Sequence, residues 1–133
     1  MIRSADAFGA SYLIVSGHAA DPYDPKSVRA SAGSIFALPV IRVPSAHAVL
    51  AWLDGSDAAL VATDEHGSLE LDEADLTGPT LLLIGNETMG LSSAWREAAT
   101  VTVRIPITGS ASSLNAASAA TVALYEAARQ RRR

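Results

Sequence analysis

Short apolar runs, largely of β-branched and aliphatic residues, recur along the chain at 12–16, 39–43, 60–63, 80–84 and 101–105. Each run is nearly continuous rather than alternating, which is the pattern of strands covered on both faces, as in a parallel sheet. Segments of helical composition separate them: 2–9, 25–32, 46–54, a short turn near 92–98, and a long stretch over 113–131. Strand and helix in alternation predict an α/β domain, a mostly parallel sheet with flanking helices. Residues 64–78 are acidic and turn-rich and read as a surface connection. No repeat or compositional break divides the chain, so a single domain over 1–133 is expected.

Composition narrows the chemistry. With 133 residues, 49% of them hydrophobic and 18% charged, the chain is an ordinary globular sequence. A domain of this size buries about two-thirds of its unfolded surface. The absence of cysteine removes disulfides, thiolate metal sites and cysteine nucleophiles. The 3 histidines are scattered, so no metal is expected. No run approaches the ~20 apolar residues that span a bilayer. Arg3 and Asp6 interrupt the N-terminus where a signal peptide would be apolar, and the expected location is cytoplasmic, with no membrane contact. A net charge of −4 is unusual for a chain that holds a polyanion unaided. The only basic cluster, 129–133, has no interleaved aromatic residue. It could touch phosphates, but it reads rather as a solvated end that complements the dipole of the last helix.

Two glycine-bearing turns carry the candidate chemistry. The first is Leu81-Leu82-Leu83-Ile84-Gly85-Asn86-Glu87-Thr88-Met89-Gly90-Leu91-Ser92, and the second is Ile105-Pro106-Ile107-Thr108-Gly109-Ser110-Ala111-Ser112-Ser113-Leu114-Asn115. Each follows an apolar run and precedes a helical segment, so each sits at the C-terminal end of a strand, where open α/β sheets bind ligands. Gly85 and Gly90 remove side chains where a backbone bends or meets a ligand closely. Their spacing mimics a phosphate-binding loop, but no Lys-Ser or Lys-Thr follows, which argues against nucleoside triphosphates. Glu87 taken alone reads more often as a carboxylate at a helix start. Ser112 or Ser113 is expected to cap the last helix, with Asn115 in its first turn and able to point into a cleft. His18 follows a strand, but its Gly-His-Ala-Ala-Asp-Pro setting is that of an exposed turn, and His47 and His66 receive no role.

In this order and spacing the two turns resemble motifs two and three of the SpoU family, the RNA 2′-O-ribose methyltransferases of the SPOUT superfamily. Residues 1–10 resemble the second half of the family's first motif, and 17–36 its linker and second helix, so the resemblance covers almost the whole chain. It implies a C-terminal trefoil knot, S-adenosylmethionine as cofactor, and an RNA substrate, ribosomal or transfer. It also implies a homodimer formed through the small-residue C-terminal helix. For cofactor binding it implies Thr63, Ile84, Gly85, Gly90, Ile105 and Leu114, largely through the main chain. For catalysis it implies Arg3, Glu87, Ser113 and Asn115. A guanidinium keeps its proton at neutral pH, so Arg3 is expected to act electrostatically, on the developing oxyanion or an adjacent phosphate. The family's asparagine and first strand, which normally precede the matching arginine, are absent from the sequence. The domain therefore reads as N-terminally truncated, with little methyltransferase activity expected of these residues alone. The alternative is an inactive fragment, or a cofactor-binding and dimerisation module without catalysis.

Overall fold

The computed structural model describes residues 1–17 and 21–132. In chain order they form α1 (Ile2–Ala7), β1 (Leu13–Ser16), α2 (Pro25–Ala30), β2 (Val40–Val43), α3 (Ala46–Leu53), β3 (Ala59–Thr63), β4 (Leu69–Glu70), β5 (Thr80–Leu83), α4 (Ser93–Ala98), β6 (Val101–Arg104) and α5 (Ala116–Arg131). Short 3-10 turns occupy Ser34–Phe36 and Leu71–Glu73. His18 and Arg133 lie outside the described residues.

Among the described residues the six strands pair in parallel, as the continuous apolar runs predict, but they form two sheets rather than one. β1 pairs with β2, and a second sheet has the order β4-β6-β3-β5. The larger sheet is covered on both faces. On one, Val61, Val103, Leu71, Ala74 and Leu76 pack with Ala123 and Ala127 of α5. On the other, Leu60, Ala62 and Leu83 pack with Val49 of α3 and Trp95 of α4. Val61 and Val103 are 1% and 0% exposed, so the sheet's centre is dry. Alanines at 120, 123 and 127 are buried and let α5 lie close to the strands. Much of the helix's small-residue character thus serves its own sheet.

The segment 64–78 departs from expectation. It holds β4 and a 3-10 turn, and Leu71, Ala74 and Leu76 are core residues. Its apolar positions follow neither a helical nor a strand period, so their burial had no periodic signal. Gly67 explains part of the path. A Cβ there would lie 2.4 Å from the Val103 carbonyl carbon, so only glycine lets this loop lie on β6.

Helix ends also differ from the sequence reading, for local reasons. α2 starts where expected, capped by Asp24, whose carboxylate accepts from the Lys26 and Ser27 amides at 2.8 and 3.3 Å. The Ser27 hydroxyl, then these amides, hold that carboxyl below the ordinary carboxylate range. The helix ends early because the chain turns left-handed at Ala32 and Gly33, φ 51° and 87°. α5 begins at Ala116, and its cap is Asn115 rather than Ser112 or Ser113. The Asn115 Oδ1 accepts from the Ser118 amide at 2.8 Å.

The C-terminal basic residues are structural ties, not only a solvated end. The Gln130 side chain accepts from the Leu76 amide at 2.8 Å and donates to the Ala74 carbonyl at 2.9 Å. Arg131 donates to the Leu76 and Gly78 carbonyls at 2.9 and 2.8 Å. Arg129 pairs with Glu126 at 2.7 Å, and Arg132 stacks over Tyr125. At the other end of the chain, α1 docks on α5. Ser4 and Thr121 share a hydrogen bond of 2.7 Å, and the Phe8 and Tyr125 rings meet edge to face at 5.7 Å.

Replacing Gln130 with alanine orphans a donor and an acceptor beside fully buried Leu76. The expected loss is about 1–3 kcal/mol of unfolding free energy, measured by urea denaturation. An unchanged midpoint would show that water replaces both bonds.

Candidate functional site

The register of the larger sheet sets the geometry. Ala62 pairs with Leu83, and Thr63 with Val103, so β3, β5 and β6 end side by side. Thr63, Ile84 and Ile105 therefore leave the sheet at the same end, as the sequence reading requires. The Thr63 hydroxyl donates to the Leu83 carbonyl at 3.1 Å and ties the first two exits together.

The turn after β5 folds on itself. The Asn86 amide donates to the Gly90 carbonyl at 3.2 Å, and the Gly90 amide returns a bond to Asn86 at 2.8 Å. The Asn86 side chain accepts from the Thr88 and Met89 amides at 2.8 and 3.3 Å. Gly90 has φ +66°, and a Cβ on Gly85 would lie 2.7 Å from the Gly90 carbonyl carbon. The glycines are thus demanded by the turn itself. Glu87 sits exposed at its tip and does not start a helix, since α4 begins only at Ser93. The helix-start reading of Glu87 is corrected by this spacing.

The loop after β6 behaves oppositely. Among the described residues, no main-chain hydrogen bond within the protein involves 105–114. Ile107, Leu114 and Ser113 are exposed. Asn115 spends its amide oxygen on the helix cap, so only its NH2 group is left to face a ligand. A cleft-facing role for the whole Asn115 amide is therefore reduced to half of it.

Arg3 is exposed on α1, held in place by its neighbours Ser4 and Ala5, the latter 3% exposed. The ion pairs among the described residues join Arg42 to Asp21, His66 to Glu65, Arg104 to Glu70 and Arg129 to Glu126. Arg3 and Glu87 are not paired with each other. The structure thus unites the roots of the candidate cofactor loops and leaves Arg3 on a separate element.

A cavity of about 400 Å³ opens at the same end of the sheet, lined by Ala62, Asp64, His66, Leu91, Arg96 and Thr102, among others. Asp64, His66 and Arg96 were not anticipated there. Asp64 directly follows Thr63, which was the available signal. Arg96 sits on α4 and donates to the Leu91 carbonyl at 3.0 Å, a contact invisible in the sequence.

The SpoU rRNA Methylase family matches residues 1–125. The chain belongs to that family. It is similar to a 23S rRNA (uridine(2479)-2'-O)-methyltransferase of Streptomyces viridochromogenes, 62% identical over 98% of this chain and 47% of the relative. A 23S rRNA (guanosine-2'-O-)-methyltransferase of Pseudomonas syringae pv. tomato is 35% identical over 98% of this chain and 52% of its own length. The solved structure of the SpoU methyltransferase AviRb from Streptomyces viridochromogenes, in complex with AdoMet, superposes with a TM-score of 0.93 at 62% identity. That match covers 98% of this chain and 53% of the other. This SpoU-family chain thus spans about half the length of the curated relatives it matches. Among the described residues, no helix is long and apolar enough to cross a membrane.

Gly85→Ala is expected to push the 86–90 turn apart and cost about 1–3 kcal/mol, read by urea denaturation. Gly109→Ala, with nothing within 4 Å of its added carbon, is the comparison and should be close to neutral. Equal effects would mean that the turn yields freely.

Proposed function

We propose that the chain forms the catalytic-domain part of an S-adenosylmethionine-dependent methyltransferase that modifies a ribose 2′-hydroxyl in ribosomal or transfer RNA. One observation carries this reading. The two motif loops leave the same end of one parallel sheet, and among the described residues no main-chain hydrogen bond within the protein involves 105–114. A loop of that kind fits a nucleoside, whose base and ribose are recognised by main-chain donors and acceptors. Thr63, Ile84, Gly85, Gly90, Ile105 and Leu114 would hold the cofactor, which supplies an electrophilic methyl group when bound.

The chain's own task is to position a poor nucleophile. A ribose hydroxyl is scarcely ionised at neutral pH, so orientation and stabilisation of negative charge on its oxygen are what the protein can contribute. In this reading the Arg3 guanidinium donates to that oxygen or to the neighbouring phosphate. Glu87 and the Ser113 hydroxyl orient the substrate, and the free NH2 end of Asn115 completes the cleft.

The family resemblance also supports a C-terminal trefoil knot, a homodimer and a cytoplasmic location. For the dimer, the supporting surface is Val122 and Tyr125 on α5, 38% and 47% exposed, with Leu114 nearby in sequence at 40%. The buried alanines belong to the domain's own packing. A second reading is a cofactor-binding and dimerisation module without catalysis.

Calorimetric titration with S-adenosylmethionine should give saturable binding, and no heat at millimolar cofactor would remove the reading. In a methylation assay on ribosomal RNA, an N-terminally extended version should transfer methyl groups, and Arg3→Ala in that version should lower the rate on the order of 100-fold, the effect of losing one oxyanion donor, while the cofactor still binds. Saturable binding with no transfer by the extended version would favour the module. Val122→Arg should convert a sedimenting dimer to monomer, and a parent chain that is already monomeric would overturn the interface.

A further inference from the structure

The path from β3 to β4 is laid against β6. The Asp64 amide donates to the Val103 carbonyl at 3.0 Å, and the Ser68 amide to the Thr102 carbonyl at 3.1 Å. Gly67, between these two ties, lies so close to β6 that a Cβ would stand 2.4 Å from the Val103 carbonyl carbon. β4 then runs beside β6, with Leu69 opposite Val103 and Glu70 opposite Arg104. The Arg104 guanidinium donates to the Gly67 carbonyl at 3.1 Å and to the Glu70 carboxylate at 3.3 Å. One side chain of β6 therefore grips both the connecting segment and the strand it leads to.

The place of this grip bears on the site. Arg104 ends β6, and Ile105 follows it. The gripped segment starts directly after Thr63, the last residue of β3. Thr63 and Ile105 are the residues that the proposed reading gives to the cofactor at these two strand ends. Among the described residues, no main-chain hydrogen bond within the protein involves 105–114, so the loop takes its direction from its roots. Stability does not account for the pair. The Arg104 and Glu70 side chains are 44% and 39% exposed, and ion pairs so open to water add little to folding. A planar guanidinium with two acceptors fixes geometry instead, because its donors are already set in a rigid fork.

We infer that Arg104 is a positioning residue. Held on Gly67 and Glu70, it fixes the spacing of the Thr63 and Ile105 exits and the direction of 105–114, and it acts on a ligand only through them. The inference rests on the methyltransferase reading for the identity of that ligand alone. Without the guanidinium, about one more residue at the loop root has to be ordered on binding, which weakens affinity on the order of tenfold.

The test uses the 133-residue chain with Arg104→Ala and Arg104→Lys. Lysine keeps the charge but lacks the fork that spans two acceptors. In calorimetric titration with S-adenosylmethionine, Arg104→Ala should raise the dissociation constant on the order of tenfold at an unchanged urea midpoint, and Arg104→Lys should recover part of the loss. A second measurement needs no ligand. The chain has no cysteine, so Ile107→Cys, at an exposed position three residues after Arg104, takes a single nitroxide spin label. The label's spectrum should narrow when Arg104 becomes alanine. Parent-like affinity and label motion in Arg104→Ala would overturn the inference. So would a urea midpoint that falls in step with affinity, which would make Arg104 a stabilising residue only. A parent chain that binds no cofactor would remove the methyltransferase reading, and the label alone would then decide: narrowing supports the clamp, and an unchanged spectrum overturns it.

Discussion

The parallel pairing of β3 with both β5 and β6 is the constraint on which the rest depends. It places Val61 and Val103 at the dry centre of the domain, between α5 on one face and α3 with α4 on the other. Because the strands are parallel, their C-terminal ends coincide, and the loops that follow must emerge together. A register slip of a single residue would turn Val61 from the α5 face to the opposite one and part Thr63 from Leu83. Core packing and site geometry are thus one condition.

The elements that were legible in the sequence are those with a simple period. Every continuous apolar run became a strand within a residue or so of its expected limits, because double-sided burial leaves no polar position to blur the pattern. The segment 64–78 was misread because Leu71, Ala74 and Leu76 are buried by tertiary packing, the last two tied to Gln130 and Arg131, over fifty positions away in the chain. Two sheets instead of one could not be read either, since periodicity identifies strands and not their neighbours. At the candidate site, the loops were legible from glycine spacing, whereas the inward role of Asn115 as a cap and the lining by His66 and Arg96 were not. Asparagine and serine cap equally well, so composition could not choose between 112, 113 and 115.

Charge has been allocated mainly to the fold. Arg104, Arg129, Arg131 and Arg132 all engage residues of the same chain. Arg42 is paired, though both partners are about half exposed, so that bridge adds little stability. With a net charge of −4, few cations remain for a polyanion, and Arg3 is among the exposed ones. Within the proposed reading this chain would contribute chemistry and cofactor binding, and most of the RNA affinity would come from elsewhere. Affinity for phosphates scales with the number of free cations and falls with salt accordingly.

Within the proposed reading, the two motif loops would divide the work of binding. The 85–90 turn is closed by its own backbone and by Asn86, so it is a preformed wall whose shape a ligand does not have to create. Among the described residues the 105–114 loop has no such internal bonds, and it is anchored where β6 ends and where Asn115 caps α5. Ordering it costs conformational entropy, roughly 1–2 kcal/mol for each residue fixed. A ligand that satisfies its main-chain groups offsets that cost and closes the loop against the wall. Specificity then follows from the rigid side and affinity from the adaptable one. The fixed anchors at both loop ends keep the entropy cost below that of a free peptide, which is how a parallel sheet turns two strand ends into a site.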